Sequence, residues 1–362
     1  MRTSGFSPAA GHLHAWATLH GQADGGGDDP WAGLFKGALT PLRGRCAKKT
    51  LALEVQFYLW VMMHLALARD KFDDVPSWVG DWLDGFEIVS PYTEESPPTM
   101  RDYLDLYPLK MATKSKKSVV GQWLPSVKDS FLPRVQVANV RDVLKLCPLI
   151  PRPFAVSAFG PTSKGDLDLT LQPDRIHFLL VMEDLTSQFT AAHVLDLKLG
   201  CRLDAPDYCK SKNDNRMERA EQPMFKQHGF QISGLSCVGS ESPLAAAWPR
   251  SVVRGVQDME GARSLLTQVL RFQRVDNDTL CGLISHIERM VQWFETSGCG
   301  LMFRGSSLLL ILSENKAQAK LIDFCHVYFY FYDLLTPQQK RDEGVIRGLR
   351  NVSLIVEAVT RK

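Results

Sequence analysis

Apolar positions along this chain follow two spacings, one every three or four residues and one in short unbroken runs. Over 49–69, Leu51, Val55, Tyr58, Met62 and Leu65 recur at helical spacing, which predicts a helix. Its most apolar part, 51–68, is interrupted by Glu54, Gln56 and His64, so it falls short of a membrane span and reads as a buried helix. Glu54 lies three residues from Leu51 and is therefore turned inward. Residues 176–183, Ile-His-Phe-Leu-Leu-Val-Met-Glu, are continuously apolar, as a strand covered on both faces is. Residues 194–199 and 230–238 read as further strands, with a polar segment of helical composition at 210–221. Two helices follow. The second carries Leu280, Leu283, Ile284, Ile287, Met290, Val291 and Phe294 on one stripe, with Gly298 as its stop. Residues 307–312 and 320–324 predict a hairpin around Glu314-Asn315-Lys316. A last helix over 343–359 places Val345, Leu349, Val352, Val356 and Val359 on one face.

The N-terminal side is less regular. Residues 1–30 read mostly as loop, with a short hairpin at 14–20, and 31–36 as a strand ending in Lys36. Prolines crowd 81–172, where short helices are expected near 100–106 and 139–146; this stretch reads as an insertion. Strands first, then a mixed part richer in helix, give an α+β chain. The expected division is a loop segment 1–30, an N-lobe 31–183 that includes the insertion at 81–172, and a C-lobe 184–362.

Composition narrows the class. The 362 residues are 45% hydrophobic and 23% charged, as in a globular protein, and the net charge of +2 offers no global basic field for nucleic acid. Any anion site must be a local cluster. Eight scattered cysteines show no metal-ligand spacing, and residues 1–11 show no apolar run of a signal peptide. Reduced thiols in the cytoplasm or nucleus, a monomer, and no membrane span are the expectations.

The chemistry concentrates in His193-Val-Leu-Asp196-Leu-Lys198-Leu-Gly200. Two apart on a strand, the carboxylate and the ammonium share a face, beside a glycine that lets a bulky ligand approach. Asp323, after two apolar residues at a strand end, is a lone carboxylate of the kind that suits Mg²⁺ together with phosphate oxygens. Phosphate-binding loops of the G-x-x-x-x-G-K-[ST] type, H-R-D and G-x-G-x-x-G are all absent from the sequence, which disfavours P-loop NTPases and protein kinases.

Taken in order, Leu34-Phe35-Lys36, Glu54-Val-Gln-Phe57-Tyr58, Met182-Glu183-Asp184-Leu185-Thr186, the D-x-K-x-G segment, Ser306-Ser307-Leu308-Leu309, Leu321-Ile322-Asp323-Phe324 and Gly348-Leu349-Arg350-Asn351 resemble the inositol polyphosphate kinase family. The resemblance implies a two-lobed kinase-like fold, with a smaller N-lobe built on an antiparallel sheet and one long helix. It further implies transfer of the γ-phosphoryl group of ATP to a hydroxyl or phosphate of an inositol phosphate, with Mg²⁺. Lys36 would be held by Glu54 near the ATP phosphates, and the Glu183 carbonyl and Leu185 amide would read the adenine, while Asp184 either takes part or caps a turn. Asp196 would lie by the nucleotide or the attacking hydroxyl, and Lys198 would bridge the donor and acceptor phosphates. Ser307 would sit near the ATP phosphates and Asp323 on the metal. For the acceptor, the available cations are Lys210, Lys212, Arg216, Arg219 and Arg254. Arg216 and Arg219, three apart, share a helix face.

The short connection from Gly200 to Gly229 is similar to that of the multikinases and hexakisphosphate kinases. Two positions depart from the family pattern: Ala192 stands where the motif begins with proline, and Glu221 where a lysine is frequent. These motivate the alternative of a catalytically weakened kinase-fold protein that binds inositol phosphates as a scaffold.

Overall fold

The computed structural model describes residues 16–18, 45–50, 52–89, 139–159, 177–203, 210–238, 242–297, 301–329 and 341–360. The chain divides into two compact units. One holds His14–Leu144 and Arg152–Ser187; the other is mainly Lys145–Pro151 and Gln188–Lys362.

The first unit is built on a five-stranded sheet of β1 (Trp16–Thr18), β2 (Arg45–Thr50), β3 (Glu87–Val89), β4 (Pro153–Phe159) and β5 (His177–Glu183), in the order β1-β2-β5-β4-β3. All neighbours are antiparallel except β3 and β4. The central place of β5 explains its unbroken apolar run, and Leu180, Val181 and Met182 are buried. The long helix is Ala52–Lys71, with Phe57, Tyr58, Trp60, Val61, Met62 and Leu65 all buried. Aromatic and β-branched residues cost a helix a few tenths of a kcal/mol each. Burying each large side chain returns about 1.5–3 kcal/mol, so packing decides.

Two expectations change here. Of the stretch 14–20, expected as a local hairpin, the described part Trp16–Thr18 is β1 and pairs with β2, Trp16 opposite Lys48 and Thr18 opposite Cys46. A short isolated hairpin buries too little apolar surface to persist, whereas a strand added to a sheet edge borrows the sheet's core. The stretch 81–172, read as an insertion, supplies β3 and β4, and β4 lies inside the sheet against β5. Pro153 lacks an N–H to give the ladder and sits where the register shifts, between Pro153 and Ala155. The helix expected near 139–146 is present as Val140–Leu146; 31–36 and 100–106 lie outside the described residues.

The second unit contains β6 (Ala192–Leu199), β7 (Phe230–Val238), β8 (Leu301–Phe303), β9 (Ser307–Ser313), β10 (Lys316–Ile322) and β11 (Val327–Phe329). Four strands form an antiparallel sheet in the order β10-β9-β6-β7, and β8 pairs with β11. A two-residue turn, Glu314-Asn315, closes the β9–β10 hairpin. Helices Met259–Phe272 and Asn277–Thr296 begin at Asp258 and Asp276, whose carboxylates accept from the N–H of Gly261 and Thr279, both at 2.7 Å. The proposed stop at Gly298 lies outside the described residues. Lys145–Pro151 is fastened to this unit by Lys320 on β10, whose ammonium donates to the carbonyls of Pro148 (2.8 Å) and Ile150 (3.2 Å).

The last helix, Glu343–Thr360, buries Val345, Leu349, Val352, Ile355 and Val356. It meets the turn before β7 backbone to backbone. A Cβ on Gly348 would lie 2.2 Å from the Gly229 carbonyl oxygen, and one on Gly229 would lie 2.4 Å from that of Gly344. Asn351 donates to the His228 carbonyl at 2.9 Å. Much of the Gly348-Leu349-Arg350-Asn351 motif is thus packing: it seats the helix on the turn whose Gly229 carbonyl takes the Gly200 N–H at 2.8 Å.

Candidate functional site

Within the second unit, β6 is an inner strand, and its register sets the chemistry. Lys198 is opposite Ser307 on β9 and Gln231 on β7; Asp196 is opposite Leu309 and Gly234. Asp196 is 1% exposed and Lys198 is half-buried. The Lys198 ammonium donates to Ser307 Oγ at 3.3 Å and stands 3.6 Å from the Asp323 carboxylate. The register joins these groups: Ser307 also pairs with Ile322, so Asp323 begins one residue beyond the ladder.

Asp323 is held there by its neighbours. Ile322 ends β10, and Phe324 is fully buried, packed edge-on against Phe303 with ring centres 6.0 Å apart. Between them Asp323 has φ +64°, a left-handed conformation that aspartate tolerates better than most residues. Among the described residues no three His, Cys, Asp or Glu side chains gather as a metal cage. One carboxylate beside a hydroxyl and an ammonium fits a Mg²⁺ ion that draws its other ligands from phosphate and water, the usual habit of this cation. The adjacent Ser306 hydroxyl is buried and makes no hydrogen bond within the described residues.

Cations border this group. Arg216, in the helix Lys210–Ala220, donates through Nε to the Leu203 carbonyl. It lies over Gly305: a Cβ there would be 3.2 Å from Arg216 Nη2 and 3.7 Å from Lys198 Cε. Gly305, at φ +73°, therefore leaves the room in which the two cations come close. Arg254 ends the short helix Arg250–Arg254 and donates through Nε to the Ser233 carbonyl at 3.4 Å. Ser233 is the extra residue of a bulge in β7: Asp196 faces Gly234 and Leu197 faces Ile232. Burial lowers the Arg254 pKa, the like charges of Arg250 and Arg219 lower it further, and the Asp196 carboxylate acts in the opposite sense. Arg219, Arg250, Arg254 and Asp196 thus share one electrostatic neighbourhood. Lys210 and Lys212 lie in the first turn of their helix. Glu221, where a lysine was expected, is exposed and paired with Lys226.

In the first unit, Glu54 is wholly buried and accepts from the Thr50 hydroxyl. Its expected partner Lys36 lies outside the described residues. The Glu183 N–H donates to the Arg152 carbonyl at 2.8 Å, while its side chain accepts from the Arg152 N–H at 3.3 Å. The Glu183 carbonyl accepts the Cys46 thiol at 3.6 Å and, with two lone pairs, can take a second donor. Leu185 is buried. Of the two readings of Asp184, the structure supports the turn: its Oδ1 accepts from Thr186 N (2.9 Å) and Thr186 Oγ1 (2.7 Å).

The sequence pattern did not single out Gln231, Arg250, Arg304 or Asp342. Buried Asp342 accepts from Phe303 N (3.1 Å) and Val345 N (3.3 Å), starting the last helix. Burial raises its pKa, and the nearby Arg304 guanidinium works against that rise. An aspartate shortly before an amphipathic helix was a readable cap signal; the others had none.

The description "Inositol polyphosphate kinase" belongs to the family model that matches residues 179–357. Inositol polyphosphate multikinase alpha of Arabidopsis thaliana is 24% identical over 174 residues, 41% of this chain and 60% of its own length. Inositol hexakisphosphate kinase 3 of Mus musculus is 26% identical over 203 residues, 49% of this chain and 50% of its own. The chain therefore spans between half and three-fifths of the length of these relatives. A crystal structure of inositol phosphate multikinase from S. cerevisiae, in complex with ADP and Mn2+, has 18% identity and a TM-score of 0.43, covering 59% of this chain and 89% of that one. No helix among the described residues is long and apolar enough to cross a membrane.

Proposed function

Because the chain belongs to the inositol polyphosphate kinase family, we propose that it transfers the γ-phosphoryl group of ATP to an inositol phosphate, with Asp196, Lys198, Ser307 and Asp323 as the reacting centre. The observation that carries this reading is the convergence of Lys198 on Ser307 and Asp323, from three adjacent strands of one sheet.

Phosphoryl transfer asks for charge neutralisation and positioning more than for covalent help. Lys198 is placed to neutralise oxygens of the transferring group, and Ser307 to donate to one of them once its hydroxyl turns. Asp196, buried on the same strand face, is placed to orient the attacking hydroxyl and take its proton. Asp323 would hold Mg²⁺, which when bound neutralises charge building up on the β- and γ-phosphates. Arg216, Arg219 and Arg254 supply cations for the remaining phosphates of the substrate, and we assign Lys210 and Lys212 to the same role. In the first unit we assign Glu54, which accepts from Thr50, to pair with Lys36, and the Glu183 carbonyl with the Leu185 amide to the adenine edge.

The test is turnover of ATP with a panel of inositol phosphates, run beside Asp323→Asn. The wild type should phosphorylate at least one member. The variant should fold normally and be slower by about a thousandfold or more, since a metal ligand is worth several kcal/mol to the transition state. Unchanged turnover of Asp323→Asn at saturating Mg²⁺ removes the metal assignment. Binding without any turnover would establish the scaffold alternative, for which Glu221 paired with Lys226 is the motivating departure.

A further inference from the structure

Gln231 lies directly across from Lys198 on β7, so the two side chains stand on the same face of the sheet. It is 4% exposed, which is unusual for an amide, and its two N–H groups are both engaged. One donates to Gln222 Oε1 at 2.9 Å and the other to the Arg254 carbonyl at 3.4 Å. Since the Arg254 carbonyl can only accept, the orientation of the amide is fixed: turned over, it would set oxygen against that oxygen. The partners matter because of where they sit. Gln222 follows the helix that carries Arg216 and Arg219; Arg254 ends the helix that begins at Arg250. The Arg254 carbonyl also accepts from Gln257 at 3.2 Å, and its guanidinium reaches the bulge at Ser233, two residues along the same strand.

We propose that Gln231 is a positioning residue for the acceptor side of the site. Its amide ties the end of the Arg216/Arg219 helix and the end of the Arg250–Arg254 helix to the strand position beside Lys198. Both arginine-bearing helices are short or polar, with few apolar anchors of their own, so their placement depends on such bonds. The amide itself touches no reacting atom; it sets the distance between the acceptor cations and Lys198. The inference rests on the proposed kinase reading.

Steady-state kinetics of the full chain, with ATP and the best acceptor of the inositol phosphate panel each varied in turn, test it. Gln231→Leu keeps the volume and removes both donors. It should raise the acceptor KM by about tenfold, leave the ATP KM within about twofold, and change kcat less than the acceptor KM. Gln222→Ala, a half-buried residue outside the sheet, removes one of the same bonds and should raise the acceptor KM in the same sense. The double variant should be no worse than Gln231→Leu alone, because the shared bond can be lost only once. If Gln231→Leu fails to fold, Gln222→Ala carries the test by itself. A folded variant with unchanged acceptor KM, equal rises in both KM values, or effects that multiply in the double variant would overturn the proposal. Wild-type protein that neither turns over any acceptor nor binds inositol hexakisphosphate in calorimetry would refute the kinase reading and this inference with it. Wild-type binding with unaltered Gln231→Leu refutes the inference only.

Discussion

At Asp323 the backbone adopts φ +64° between a strand end and a buried phenylalanine, and the carboxylate stands beside Lys198. Such a conformation persists only where the surroundings over-determine it, as Ile322 in its ladder and Phe324 among the aromatic rings do here. The arginines of the acceptor side are placed differently. Arg216 is half-buried over Gly305, whereas Arg219 is exposed and acts through its charge on Arg254. Replacing both by alanine should chiefly raise the KM for the inositol phosphate. Each charge-assisted contact is worth about 1.5–3 kcal/mol, so the pair should cost on the order of a hundredfold, with the ATP KM little altered. Raised salt should reproduce part of the loss in the wild type, because exposed charges are screened. An acceptor KM that does not move would return these two residues to a solvated helix face.

At the scale of elements, the docking of the last helix onto the Gly229 turn is the least forgiving contact in the second unit. Backbone meets backbone there: added methyl groups would stand 2.2 Å and 2.4 Å from carbonyl oxygens, with no flexible side chain able to yield. Gly348→Ala should therefore destabilise the protein by about 2–3 kcal/mol, although alanine is the better helix former by about 1 kcal/mol. The sign of this balance is checked by the urea midpoint at constant m-value. A variant as stable as the wild type would mean that helix and turn separate easily. The helix itself was legible from its apolar stripe and the Gly-Leu-Arg-Asn motif was visible, but the purpose of the glycine was not. Only the opposing backbone shows why a side chain is excluded.

Across the whole molecule, the proline-rich stretch 81–172 turns from an appendage into framework. β3 and β4 complete the sheet around β5, and Lys145–Pro151 crosses to the other unit, where Lys320 holds two of its carbonyls. Joining the chain from residue 85 directly to 171 deletes β3 and β4 and leaves one edge of β5 without a partner. That exposes Leu180, Val181 and Met182 together with a row of unpaired backbone groups. Such a deletion should be insoluble or lack a cooperative unfolding transition. A folded, ATP-binding deletion, detected by circular dichroism and nucleotide fluorescence, would show that the sheet survives without β4.

What the sequence determined by itself is what neighbouring residues decide among themselves. The helices expected over 49–69, along the stripe from Leu280 to Phe294 and over 343–359 are present as Ala52–Lys71, Asn277–Thr296 and Glu343–Thr360, and the strands expected at 176–183 and 230–238 as His177–Glu183 and Phe230–Val238. The shared face of Asp196 and Lys198 follows from strand alternation. Asp323 was legible because its apolar flank is contiguous with it. The tertiary structure decided which strand lies beside which, and therefore everything that depends on register. β1 found its place beside β2, β4 was drawn into the sheet despite Pro153, and a bulge at Ser233 brought Arg254 towards Asp196. Gln231 came to lie across from Lys198 for the same reason. Such pairings join residues far apart in the chain, and their stability comes from burial shared over the whole sheet. No local pattern of apolar and polar positions can encode them.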